Sequence, residues 1–81
     1  MKEGKCMHVK IDFKNIGLKL EKIRKCTNMS LEEFSNNTGI TIRRLRTIEK
    51  GSKNIKLVEL VLICNVLNVT IDEILIYNVM L

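Results

Sequence analysis

The stretch Ser30–Gly51, SLEEFSNNTGITIRRLRTIEKG, decides how this chain reads. It spells two short helices joined by a tight turn. Ser30 is a good N-cap residue and Glu33 follows three positions later, so the two can bond reciprocally across the first turn of a helix. Phe34 is the apolar anchor of that helix. Asn36-Asn37-Thr38-Gly39 breaks it, and Gly39 can take the positive φ that a sharp helix exit requires. Thr41 then caps a second helix, expected from Ile42 to about Lys50, with Gly51 ending it. Two helices in this arrangement are a recurrent way of seating a helix in the DNA major groove.

At about 100° per residue, Leu45 and Ile48 fall on one side of the second helix and Arg43, Arg46, Thr47 and Lys50 on the other. Ile42 and Arg44 lie on the flanks. One face can therefore pack against the first helix while the opposite face is bare and cationic. A charged helix face is by itself often only a solvated one. The charge distribution points further. The net charge is +5, and residues 41–56 alone carry six Lys/Arg against the single acid Glu49. Residues 57–81 hold no base and three acids. A positive excess centred on one helix and the loop after it is the footprint of a phosphate backbone. An anionic membrane would want Trp or Phe on an amphipathic helix beside the basic cluster, and none is there.

Eighty-one residues make one small domain, whose limited core must be well filled or completed by a partner chain. Hydrophobic residues at 46% are ample for folding, and the absence of proline with only 4% aromatics favours helices over a β-sandwich. Cys6, Cys26 and Cys64 match neither a metal-ligand spacing nor a disulfide framework, so no metal or cofactor is expected. Cys64 reads as a small core residue. With no signal peptide and no apolar run of membrane-spanning length, the expected compartment is a reducing cytoplasm.

Residues 7–13 alternate: Met7, Val9, Ile11 and Phe13 on one face, His8, Lys10 and Asp12 on the other, which is strand periodicity. Such a strand has nothing to pair with in a helical chain, so it either pairs with its copy in a second subunit or lies as an arm. Residues 15–26 form a first helix, capped by Asn15 or Asp12, with Ile16, Leu20 and Ile23 inward. After the loop Ser52–Lys56, the run Leu57–Leu67 is almost wholly apolar. It reads as a helix that is central to a bundle or faces a partner, with a buried strand as the alternative and Asn68 suiting a left-handed helix exit. Thr70-Ile71-Asp72-Glu73 opens a last helix with a second capping box. Tyr77–Leu81 is apolar for a chain end, which suits burial against a second subunit. The resulting division is an arm (1–14), a helical domain (15–77) and an apolar tail (78–81).

Taken in order, these pieces resemble the Cro/C1-type helix-turn-helix domain of the Xre family of bacterial and phage transcriptional regulators. The matching string is Ile16-Gly17, Arg24, Ser30-x-x-Glu33-Phe34, Gly39-Ile40-Thr41, Leu45, Ile48-Glu49-Lys50-Gly51, Leu57-x-x-Leu60, Leu67-Asn68-Val69 and Asp72-Glu73-Ile74-Leu75. The resemblance implies an all-α, five-helix bundle of the lambda-repressor-like type, here with an N-terminal extended arm or strand. It also implies double-stranded operator DNA as partner and a twofold homodimer, in a protein of the cytoplasm and nucleoid. Small members include phage repressors, restriction–modification controllers and DNA-binding antitoxins.

Carried over by position, Ile42, Arg43, Arg46 and Thr47 match the residues that face base edges. Arginine can donate twice to guanine O6 and N7, and Ile42 or the Thr47 methyl could meet a thymine methyl. Ser30 and Leu31 match the helix N-terminus that meets a phosphate. Many relatives carry Gln where this chain has Leu31, so that contact is differently made. Arg44, Lys50, Lys53, Asn54 and Lys56 are expected on phosphates, which set position without reading sequence. Ser35 stands where Ala is usual and is small enough for close helix approach. Thr38 stands where an aliphatic residue is usual, its methyl serving instead. Glu49 matches an acid that pairs with a helix-one arginine, here Arg24. The competing reading is a protein-interaction module that kept the fold without DNA. An enzyme is disfavoured by a single His, no acid cluster with a nucleophile and no Gly-rich phosphate loop.

Overall fold

The computed structural model describes residues 11–75. They form five helices: α1 (Phe13–Cys26), α2 (Leu31–Thr38), α3 (Ile42–Glu49), α4 (Leu57–Leu67) and α5 (Ile71–Leu75), with no strand among the described residues. The fold is the expected all-α five-helix bundle. Most of the expected strand, residues 7–10, and the apolar end from Tyr77 lie outside the described residues. At the other end of that strand the expectation is corrected, because Phe13 is already helical. Asp12 is extended, at φ −99° and ψ 94°, and its side chain accepts the Asn15 N–H at 3.1 Å. That bond satisfies one of the orphan amides of a helix start, so the helix begins two residues before the periodicity suggested.

Local chemistry sets the other ends. Ser30 Oγ accepts the Glu33 N–H at 3.1 Å and Glu33 Oε1 accepts the Ser30 N–H at 3.0 Å, a complete capping box. Thr41 Oγ1 accepts the Arg44 N–H at 3.2 Å at the start of α3. Thr70 and Glu73 exchange the same pair of bonds at 2.7 and 3.1 Å before α5. Gly39 closes α2 at φ 78° and Asn68 closes α4 at φ 59°, both left-handed. Asn28, after α1, is also left-handed at φ 57°, which the sequence pattern did not signal.

The core joins one stripe from each helix: Ile16 and Leu20, Phe34, Leu45 and Ile48, Leu60, Ile63, Cys64 and Leu67, and Ile74, with Ile40 from the turn. α1 packs on α3 and α5, α2 on α3 and α4, and α4 on α5. Helix α3 is therefore backed from two sides. Gly17 makes this possible on the α1 side, where an added Cβ would stand 2.5 Å from the Glu49 carbonyl oxygen and 2.7 Å from that of Ile48. Lys19 reaches from α1 to the Glu73 and Ile74 carbonyls of α5 at 3.2 and 3.4 Å.

Of the two places expected for α4, central in the bundle or facing a partner, the described residues do not give the first. Leu60, Ile63, Cys64 and Leu67 are buried, but Leu57 and Val58 are 72% and 59% exposed, and Val61 and Leu62 are also exposed. Among the described residues, α2 and α5 cover only one face of α4.

Candidate nucleic-acid interface

The turn between α2 and α3 is stitched by side chains of α2. Thr38 is buried, and its hydroxyl donates to the Phe34 carbonyl at 2.7 Å while accepting the Ile40 N–H at 3.2 Å. Ser35 Oγ donates to the Ile40 carbonyl. Both backbone groups of Ile40 are thus satisfied in a turn that no helix ladder covers. Thr38 and Ser35, expected to serve through a methyl and through small size, both act here through their hydroxyls.

On α3, Leu45 and Ile48 are 0% and 2% exposed, whereas Arg43, Arg46, Thr47 and Lys50 lie on the exposed side. Ile42 and Arg44 are half-buried flanks. Among the described residues, Arg43, Arg46 and Lys50 pair with no carboxylate. The Thr47 hydroxyl donates to the Arg43 carbonyl within the helix at 3.0 Å. A shallow groove between α1, α2 and α3 is lined by Glu21, Arg24, Leu31, Arg46, Glu49 and Lys50. It brings Leu31, at the start of α2, beside Arg46 of α3 and Lys50 at its end.

Arg24 and Glu49 form a two-pronged ion pair at the back of that groove. Arg24 Nε donates to Glu49 Oε2 at 2.8 Å and Nη2 to Oε1 at 3.1 Å, with the side chains 9% and 7% exposed. Arg24 Nη1 also donates to the Met29 carbonyl at 2.9 Å. The hydrogen bonds to Glu49, and then its charge, raise the Arg24 pKa against the opposing effect of burial. The acid of α3 is thereby neutralised inside the protein.

Arg44, which the resemblance sets among the phosphate contacts, is bonded within the protein. Its Nε donates to Glu59 Oε2 at 2.7 Å, and its Nη2 donates to Glu59 Oε1 at 2.9 Å and to the Asn54 carbonyl at 2.7 Å. The bonds from Arg44 hold the Glu59 carboxyl down to about 2, helped by the Lys56 N–H at 2.8 Å. Glu59 was missed in the sequence. Its only local signal is its place in the first turn of α4, which marks a capping acid and says nothing of a partner fifteen residues earlier. Lys53, Asn54 and Lys56 are exposed in the loop between α3 and α4.

Among the described residues no group of His, Cys, Asp and Glu is placed to hold a metal ion, and no helix is long and apolar enough to cross a membrane. Cys26 is exposed, Cys64 is buried, and neither forms a disulfide.

A family model described as the Cro/C1-type HTH DNA-binding domain matches residues 19–79. No curated protein matches the chain in sequence. Among solved structures, the restriction-modification controller protein C.AhdI from Aeromonas hydrophila is similar at TM-score 0.72 and 21% identity, covering 76% of this chain and 94% of that one. The clp gene regulator ClgR from C. glutamicum is similar at TM-score 0.72 and 22% identity, covering 78% of this chain and 81% of that one. At such identities the likeness speaks for the fold.

Proposed function

Because the chain belongs to the Cro/C1-type helix-turn-helix DNA-binding family, we propose that it is a sequence-specific transcription regulator. It binds double-stranded operator DNA as a homodimer on two half-sites and represses by occupying the operator. The observation that carries this reading is the outer face of α3. Two arginines and a lysine lie exposed there, unpaired among the described residues, on a helix whose inner face is locked by Leu45 and Ile48.

In this reading Arg43 and Arg46 read guanine through two-pronged hydrogen bonds, while Ile42 and Thr47 meet thymine methyls. Thr47 suits that role because its hydroxyl proton is held by the Arg43 carbonyl. The start of α2 offers its remaining amides, from Leu31 on, to one phosphate, because the Ser30 N–H is held by Glu33, and Lys50, Lys53, Asn54 and Lys56 take others. Arg44 is left out of this set because it is already bonded to Glu59.

Selection of binding sites from a random duplex pool tests the reading. Expected is a two-half-site consensus with guanine in each half and centres about one helical turn apart. A consensus made only of A·T pairs, or no enrichment, contradicts it. With three lysines as phosphate ligands per subunit, log affinity should fall against log salt with a slope near −3 per subunit, not the −4 to −5 of five contacts.

A further inference from the structure

The loop between α3 and α4 carries Lys53 and Lys56, yet it has no helix ladder of its own to fix where those cations stand. Arg44 bonds it from the α3 side through the Asn54 carbonyl at 2.7 Å, and Glu59 bonds it from the α4 side through the Lys56 N–H at 2.8 Å. Between them runs the two-pronged Arg44–Glu59 pair at 2.7 and 2.9 Å. The same loop is tightened by the Asn54 N–H on Ser52 Oγ at 3.1 Å.

Resting on the DNA-binding reading above, we propose that Arg44 and Glu59 act together as a positioning pair, setting the loop cations at the height of the DNA backbone, and that Arg44 is not itself a phosphate ligand. Three of the five N–H donors that a guanidinium carries are already committed. Turning toward a phosphate would strand a carboxylate whose side chain is only 13% exposed and would release the loop. The pair contributes no net charge to the interface; its contribution is geometric.

The two roles predict opposite signs for one substitution. If Arg44 touched phosphate, Glu59→Gln would free a cation and remove an acid beside the duplex, and binding would tighten. If the pair positions the loop, Glu59→Gln weakens binding despite the gain in positive charge. The experiment uses the duplex recovered by selection with the parent chain, at a temperature where melting shows every variant folded. Glu59→Gln and Arg44→Gln should each weaken binding about threefold or more, and the double variant should be no weaker than either single. Glu59→Gln binding as tightly as the parent or tighter, or additive losses in the double variant, would overturn the positioning role while leaving DNA binding intact. A parent chain that enriches no duplex would overturn the DNA reading, and this inference with it.

Discussion

Arg24 and Glu49 meet in a buried, two-pronged ion pair that joins the end of α1 to the end of α3, with bonds of 2.8 and 3.1 Å. The third arm of Arg24 holds the Met29 carbonyl, so the connection leading into α2 is fixed by the same side chain. All three helices of the candidate interface are thus referenced to one guanidinium. Replacing Glu49 by Gln keeps the shape but leaves the buried Arg24 charge without its counter-charge. The expected loss is about 3 kcal/mol of stability. Thermal melting should show this as a fall of more than about 10 °C, with weaker DNA binding alongside. An unchanged melting temperature would mean the pair contributes nothing.

Gly17 lets α1 approach the last turn of α3. A Cβ there would stand 2.5 and 2.7 Å from two carbonyl oxygens, which are backbone and cannot rotate away. Gly17→Ala should therefore destabilise by about 1–3 kcal/mol even though alanine favours helices, and chemical denaturation would measure it. The overpacking should also move α3, so DNA affinity falls in the surviving folded fraction.

Thr38 is the buried acceptor of the Ile40 N–H. Thr38→Val preserves shape and leaves that amide unsatisfied, for an expected loss of about 1–3 kcal/mol. Ser35→Ala, which removes a donor from the half-buried side of the same turn, should be milder. Denaturant midpoints for the two variants would rank them; a Thr38→Val protein as stable as its parent would remove the hydroxyl from the account.

Much of the geometry of the candidate interface is legible in the sequence because it depends on near neighbours. The caps at Ser30, Thr41 and Thr70 act over three residues, and the two-sidedness of α3 follows from helical spacing alone. The pairing of Arg24 with Glu49 came through family resemblance, since twenty-five residues separate them. The Arg44–Glu59 pair had neither a local pattern nor a family position to announce it. Phe13 was read as the end of a strand because alternation over seven residues outweighed one capping aspartate. The apolar run of α4 hid which of its faces is buried, because hydrophobicity on all sides carries no direction.

Glu59 also gives the fold a pH dependence with a defined sign. Its pKa is about 2 in the folded protein, chiefly through the hydrogen bonds from Arg44, against an ordinary value of 4.5. A depressed carboxyl stabilises the fold at pH above the unfolded value, and that contribution is lost as pH falls from about 4.5 toward 2. Melting temperatures of the parent and of Glu59→Gln should therefore differ at neutral pH and converge across that window. A constant difference down to pH 2 would mean that the Glu59 charge plays no part.

Sequence-specific binding, as proposed, rests on Arg43 and Arg46 reaching base edges from a helix that needs neither of them to fold. Both lie on the exposed side of α3, so replacing the two with alanine should change stability by no more than about 0.5 kcal/mol each. The decisive measurement is the affinity of this double variant for the duplex selected by the parent, set against random duplex. The prediction is an unchanged melt and a preference for the selected site that falls to the level of random DNA. A folded double variant that holds the selected site as firmly as the parent would contradict the reading.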